Sequence, residues 1–281
     1  MKKLNVLLAL LLVALLALAG CGGKEAPSQD ATAQPTSQAE STEAEASASP
    51  AEAGGLAGKT KLIMGTEAGF APYEYYDESG KVVGVDPDIA QAIADALGLE
   101  LEIQEMDFDA IIPEVQSGRI DFGAAGMTVD AERSKQVDFT IPYATSKQII
   151  VVKSDNTDIN GPDDLAGKSV GVQMGTVADY ELTDSYPDTT VERYKKYFEG
   201  VSDLLSGRID AIVMDILPAQ EFIAQNSELK ILEQELMTDE YAIAVQKGNT
   251  ELLEAINKEL QNLIDSGKID EFTVNHTVTN D

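Results

Sequence analysis

Three places in this 281-residue sequence put a charged or hydrogen-bonding group at the edge of a regular element. Arg133 closes the run Gly126-Met-Thr-Val-Asp-Ala-Glu-Arg133. Asp130 is a good N-cap, which places Arg133 in the first turn of a helix. A cation there opposes the helix dipole. It therefore calls for a partner: an anion gripped by two guanidinium N–H groups at once, or simply the adjacent Asp130 or Glu132. Gly175-Thr176 opens a second helix, whose first amides can receive an anion or merely turn the chain. Asp215 ends the apolar run Ala211-Ile-Val-Met214. A carboxylate so placed can receive an ammonium group, or cap a helix after Pro218. A free amino acid carries both a carboxylate and an ammonium, so these groups together match one.

The elements that must position them alternate in kind. Lys61–Met64, Val82–Val85, Leu99–Gln104 and Ile120–Ala125 read as strands; Ile89–Leu97, ended by Gly98, and Asp109–Gln116 read as helices. The pattern restarts with a strand at Ser169–Val172 and a helix after Gly175-Thr176. It goes on with a helix at Val201–Leu205, a strand at Ile209–Met214 and a long amphipathic helix at Glu251–Ile264. Such alternation predicts an α/β fold with mostly parallel sheets. Ser117-Gly-Arg-Ile-Asp121 recurs as Ser206-Gly-Arg-Ile-Asp210, each time between a helix and an apolar strand. Five residues past the Asp, each strand ends in a polar group: Gly126-Met-Thr128 in one, Asp215 in the other. A third copy, Ser266-Gly-Lys-Ile-Asp270, ends a helix without a strand behind it. Two similar lobes follow, each with a functional strand end, which is where open α/β sheets bind ligands.

Composition narrows the partners. With 49 acidic against 20 basic residues, the net charge of −29 repels nucleic acid and anionic lipid headgroups, so neither is an expected partner. One Cys and one His cannot build a zinc site of the usual kind, and no metal or cofactor is expected. Any nucleophile–His pair would depend on His276, in a polar C-terminal stretch. Lys2-Lys3 precedes an unbroken apolar run from Val6 to Ala19, the length of a signal h-region. Counted on through Gly23, the run would suit an uncleaved anchor. Leu18-Ala-Gly-Cys21 resembles a bacterial lipobox, which implies cleavage after residue 20 and lipid on the Cys21 sulfur. Residues 24–58 are rich in Ala, Ser, Glu, Gln, Thr and Pro; with almost no large apolar group they are expected to form a disordered tether. Nearly all the acidity thus belongs to the folded part.

An ordered set of motifs runs through residues 60–272. It comprises Gly65-Thr-Glu-Ala-Gly-Phe-Ala-Pro-Tyr-Glu-Tyr75, Gly84-Val-Asp-Pro-Asp-Ile-Ala90, Phe108-Asp-Ala-Ile-Ile-Pro113, Gly126-Met-Thr128 with Glu132-Arg133, and Val137-Asp-Phe-Thr-Ile-Pro-Tyr143. Asp164-Leu-Ala-Gly-Lys168, Val172-Gln-Met-Gly-Thr176 and Asp210-Ala-Ile-Val-Met-Asp215 continue it. The set resembles the extracytoplasmic amino-acid-binding proteins of ABC transporters, solute-binding protein family 3. The resemblance implies a two-lobed periplasmic-binding-protein-like fold of type II with two hinge strands. One lobe would be residues 59–145 with 243–281 and the other 146–242, with hinges near Thr145-Ser146 and Glu240-Tyr241. It implies that Arg133 clamps the ligand carboxylate, flanked by Thr128 and the Gly126 backbone, with Thr176 contributing from the other lobe. Asp215 would bind the ammonium, and Phe70 and Phe108 would sandwich the side chain unless they are core residues. Glu67 and Gln173 would face the distal end of the side chain, or else lie in exposed loops. Glu67 inclines the ligand toward a polar or basic amino acid. Pro87, Val177 and Met214 depart from the family pattern; Val177 removes one hydrogen-bonding side chain. The partners implied are an amino acid and the membrane subunits of an ABC permease, for a monomeric, lipid-anchored, non-enzymatic protein outside the cytoplasm. Two other readings use the same fold: a prephenate- or arogenate-type dehydratase, and a sensing lipoprotein that serves no transporter.

Overall fold

A computed structural model describes residues 56–277. The signal peptide, Cys21 and almost all of the tether lie outside the described residues. In chain order the first elements are β1 (Lys61–Thr66), β2 (Tyr75–Tyr76), β3 (Val82–Val83), α1 (Val85–Leu97), β4 (Glu100–Glu105), α2 (Phe108–Ser117), β5 (Phe122–Gly123), α3 (Arg133–Gln136) and β6 (Val137–Phe139). Then come β7 (Ala144–Lys153), β8 (Ser169–Gln173), α4 (Val177–Ser185), β9 (Thr190–Tyr194), α5 (Tyr197–Ser206), β10 (Ala211–Asp215), α6 (Ile216–Gln225) and β11 (Leu229–Tyr241). The chain returns through β12 (Ala244–Gln246), α7 (Thr250–Asp265) and α8 (Lys268–His276).

These elements build two five-stranded sheets, ordered β4-β1-β5-β12-β6 and β11-β7-β10-β8-β9, with β2-β3 as a small hairpin. The sheets are less parallel than expected. β1 runs parallel to β4 and β5, and β8 to β9 and β10, but β12 and β7 are antiparallel to their neighbours. The reason is the route of the chain. It passes between the sheets twice, after β6 and after β11, and so enters each sheet against the direction of the βαβ units. The long strands β7 and β11 pair with each other at these passages, Thr145 opposite Glu240 and Ser146 opposite Asp239.

The repeated pentapeptide does the same work in both sheets. Gly118 (φ 70°) and Gly207 (φ 74°) are left-handed caps of α2 and α5, a conformation that favours glycine. Arg119 reaches back to Glu114, and Arg208 to Asp203. Asp121 then accepts the Ile63 N–H at 2.9 Å, and Asp210 the Ser169 N–H at 2.8 Å. Each copy thereby pins a helix end to the neighbouring parallel strand. The third copy leads from α7 through Gly267 (φ 70°) into α8.

Several boundaries differ from the sequence reading; α5, for one, begins at Tyr197 rather than Val201. Helix α1 begins four residues early, at Val85, because Gly84 (φ 139°) turns the chain where a Cβ would lie 2.1 Å from the Tyr73 carbonyl oxygen. In the Ile120–Ala125 segment only Phe122–Gly123 joins the ladder. His276 does not lie in a loose tail. It ends α8, with Nε2 3.0 Å from Asp88 and Nδ1 3.1 Å from the Tyr75 hydroxyl. The largest apolar cluster includes Leu62 and Phe122 of one sheet and Ile212 and Met214 of the other. Tyr73, Tyr143 and Tyr241 lie between them, with Tyr241 edge-on to Tyr73 at 5.0 Å.

Candidate functional site

Between the carboxyl ends of β1 and β5 in one sheet and β8 and β10 in the other lies a narrow cavity, at the strand ends where open α/β sheets bind ligands. Its walls include all nine residues singled out from the sequence: Glu67, Phe70, Phe108, Gly126, Thr128, Arg133, Gln173, Thr176 and Asp215. Phe70 and Phe108 are buried as well as cavity-lining, so the core and binding alternatives for them coincide. The exposed-loop alternative for Glu67 and Gln173 fails, since they are 1% and 2% exposed.

Arg133 is 4% exposed. Asp130 accepts the N–H groups of Glu132 (2.8 Å) and Arg133 (2.9 Å) on Oδ1, in the turn ahead of α3, whose N-cap residue is Glu132 rather than the expected Asp130. Its Oδ2 lies 3.1 Å from the Arg133 Nε. Nη1 donates to the Thr128 carbonyl at 2.7 Å and Nη2 to the Gly175 carbonyl at 2.9 Å. The guanidinium also sits over the Phe108 ring, 5.4 Å from its centroid. A guanidinium has five N–H groups, so one on each terminal nitrogen has no acceptor among the described residues. Thr128 faces Tyr241 in a bridge whose hydrogen bonds are made by Val129 and Ala242. Its own N–H and C=O therefore point the other way, toward Arg133. At the start of α4, Val177 occupies the first helical position, where no intrahelical acceptor exists.

Two expected donors are already engaged. The Gly175 N–H donates to Asp179 at 3.0 Å and the Gly126 N–H to Asp86 at 2.9 Å. Thr176 caps α4: its Oγ1 accepts from the Asp179 N–H and donates to the Gln173 carbonyl. Gly126 (φ 53°) has a further task, because a Cβ there would lie 2.7 Å from the Phe70 ring.

Asp215 is 5% exposed. Helix α6 starts directly after it, at Ile216 rather than after Pro218, and its side chain caps nothing. Instead Oδ1 accepts from Ser146 Oγ at 2.7 Å and from the Tyr241 hydroxyl. Nearby, Asp239 accepts from Thr128 Oγ1 at 2.9 Å and Gln148 Nε2 at 3.0 Å. Gln148 Oε1 and Asp239 Oδ1 are buried without a hydrogen-bond partner among the described residues. Burial, then the charge of Asp239, pushes the Asp215 carboxyl up to about 7. Burial raises Asp239 too. Deeper still, burial holds Glu74 well above the usual carboxylate range and Asp86 at about 6.

At the remaining end, Glu67 accepts from Gln173 Nε2 at 2.9 Å and pairs with Lys196 Nζ at 2.6 Å. Burial raises its carboxyl, and Lys196 and Gln173 oppose that rise. Sequence reasoning missed Lys196, Gln148, Asp239, Ser146, Tyr241, Asp86 and Glu74. Lys196 carried no signal of the kind that singled out Arg133, because the helix read from the sequence began at Val201 and only the observed start at Tyr197 makes Lys196 its N-cap. No group of three or more metal-ligating side chains suited to a metal ion occurs among the described residues.

The model of the bacterial extracellular solute-binding proteins, family 3, matches residues 62–277. The arginine-binding extracellular protein ArtP of Bacillus subtilis (strain 168) is 36% identical over 225 residues, covering 78% of this chain and 87% of that protein. An ancestral arginine-binding protein bound to arginine superposes with a TM-score of 0.73 at 44% identity, covering 76% of this chain and 96% of that one. The same figures hold for that protein bound to glutamine.

Proposed function

The chain belongs to the bacterial extracellular solute-binding proteins of family 3, and from that premise we propose that it captures a free amino acid with a cationic or amide-ended side chain outside the cytoplasm. It delivers that ligand to the membrane subunits of an ABC importer. The observation that carries this reading is the distribution of charge around one cavity. Arg133 has two uncommitted N–H groups beside the Thr128 amide, and Asp215, with Asp239 behind it, supplies an acidic end. A zwitterion would place its carboxylate on Arg133 and its ammonium on Asp215. Phe70 and Phe108 would flank the side chain, and Glu67 with Gln173 would meet its tip. Binding is non-covalent capture rather than catalysis, a reading that the solute-binding character of the family supports.

Residues 59–145 with 243–281 would form one lobe and 146–242 the other, closing about hinges near Thr145-Ser146 and Glu240-Tyr241. The pairing of those residues in the β7–β11 ladder supports this. Hinge closure around a ligand is a common transition of two-lobed proteins. The protein would act as a monomer, held at the membrane by lipid on Cys21 through the tether, which raises its effective concentration at the importer.

A thermal-shift panel of the standard amino acids tests this reading. Ligand at 100 times its dissociation constant adds about 2.7 kcal/mol to the folded state. Arginine, lysine, histidine or glutamine should shift the melting temperature. Arg133→Ala should abolish the shift, since it leaves the carboxylate without its clamp. A panel with no shift, or shifts only for aspartate and glutamate, refutes the ligand class.

A further inference from the structure

We propose that Lys196 sets how the cleft reads the tip of the ligand side chain: it is a built-in counter-ion to Glu67, which lets one site take an uncharged hydrogen-bonding tip as well as a cationic one. This rests on the amino-acid reading above.

Glu67 is almost fully buried and lines the cavity, whereas Lys196 does not line it. Lys196 Nζ holds Glu67 Oε1 while Gln173 holds Oε2, and the same Nζ meets Glu105 Oε1 at 2.5 Å. Glu67 and Glu105 belong to the β1–β4 side of the molecule and Lys196 to the segment before α5, so the ammonium bridges the two sheet units. Lys196 is the N-cap residue of α5, a position where a cation opposes the helix dipole and gains only through such acidic partners. With Lys196 in place, the three side chains sum to one negative charge; without it they sum to two, one of them on a buried carboxylate with no cation. A buried carboxylate stripped of its counter-ion demands a positive ligand and rejects a neutral one. A compensated carboxylate can accept hydrogen bonds from an amide tip without that penalty. Gln173 is fixed beside it, donating to both Glu67 and the Lys195 carbonyl, so the tip meets a preset polar surface.

The neighbouring Lys195 provides the control. It also bridges the two sides, to Asp107 at 3.2 Å and Asp109 at 2.9 Å, but none of these three lines the cavity. It shares any role in holding the cleft closed without touching Glu67.

The test is calorimetric titration with L-arginine and L-citrulline, which share a shape and differ in charge. Wild type, Lys196→Met, Lys196→Gln and Lys195→Met are compared at one alkaline pH, since burial raises the Glu67 carboxyl. Wild type is expected to bind both. Either Lys196 variant should raise the preference for arginine over citrulline by about ten- to a hundredfold, the worth of a hydrogen bond to a charged group. Lys195→Met should change both affinities together and leave the preference as it was. A preference unchanged in the Lys196 variants, or moved toward citrulline, overturns the proposal and leaves the amino-acid reading intact. Wild type that binds arginine but not citrulline also overturns it. Wild type that binds no amino acid overturns both.

Discussion

Ligand affinity should depend on pH through Asp215. In the empty cleft, burial and Asp239 hold the Asp215 carboxyl up to about 7. Below that pH the group carries a proton, and an incoming ammonium must displace it. The proton's hold strengthens by about 1.4 kcal/mol per pH unit. Affinity should therefore weaken about tenfold per unit below neutrality, roughly a hundredfold by pH 5, and level off toward pH 8. Glu67, whose carboxyl is also raised by burial, meets only the side-chain tip and is separated by using a ligand with an uncharged tip; the remaining groups do not mimic Asp215. Tyr73, Tyr143, Tyr197 and Tyr241 are all pushed upward by burial and stay neutral. Glu74 sits well above the carboxylate range. Asp86, at about 6, faces the Gly126 amide and Tyr143 rather than the cavity. Asp239 titrates with Asp215 as part of the same acidic end. Calorimetry in buffers of different ionisation heat would count the protons released: close to one per ligand at about pH 5.5, close to none at about pH 8.5. Asp215→Asn should bind weakly at every pH and lose this dependence, keeping only what Glu67 contributes. An affinity in wild type that is flat from pH 8 to 5, or that rises on acidification, would refute both the ammonium assignment and the electrostatics behind it.

The same buried acids shape the stability of the empty protein. Asp215 and Asp86 titrate above their ordinary range in the folded state, so the stability they contribute is present at low pH and is lost as pH rises through about 6 to 7. The ligand-free melting temperature should be higher near pH 5 than near pH 8, and Asp215→Asn should narrow the difference. Exposed acids held low by Lys or Arg partners, such as Glu114 and Glu235, act only below about pH 4 and in the opposite sense. Gly126→Ala should destabilise by about 1–3 kcal/mol, because a Cβ meets the Phe70 ring at φ 53°; denaturant titration measures this, and ligand affinity should fall with it. Gly84→Ala should cost more, since the obstacle there is the Tyr73 backbone. Cys21→Ser should abolish incorporation of labelled palmitate and release the protein from the membrane fraction.

The site was legible wherever a polar residue ended an apolar strand or opened a helix. Asp215 after Ala211-Ile-Val-Met214 and Arg133 after Asp130 broke local expectation, and both line the cavity. Glu67, Phe70, Phe108 and Gln173 had no such mark in isolation; the ordered motifs around them carried the assignment. Ser146, Gln148 and Asp239 were hidden because they belong to β7 and β11, the strands that adjoin the two passages between the sheets and pair with each other. Their polar groups follow no apolar alternation: Gln148 lines the cavity, while Ser146 donates to Asp215 and Asp239 accepts from Thr128. Sheet direction was misjudged for the same reason. Helix–strand alternation reports the βαβ units and is silent on strands that return from elsewhere. Asp86 lies inside α1 because that helix starts early, at Val85, and it turns inward to Gly126 and Tyr143.

The repeated Ser-Gly-Arg-Ile-Asp segment is, in the end, a ruler. Asp121 and Asp210 are each fastened to the first residues of a neighbouring strand, and the ligand-facing groups begin five residues beyond, at Gly126 and Asp215. At about 3.3 Å per residue of extended chain, that span fixes how far each half of the molecule reaches into the cleft. Extra residues in the helices ahead of the segment would be taken up before the fastening point. One extra residue behind it would turn Asp215 from the cavity to the opposite face of its sheet. The two halves are free to diverge in almost everything except that length.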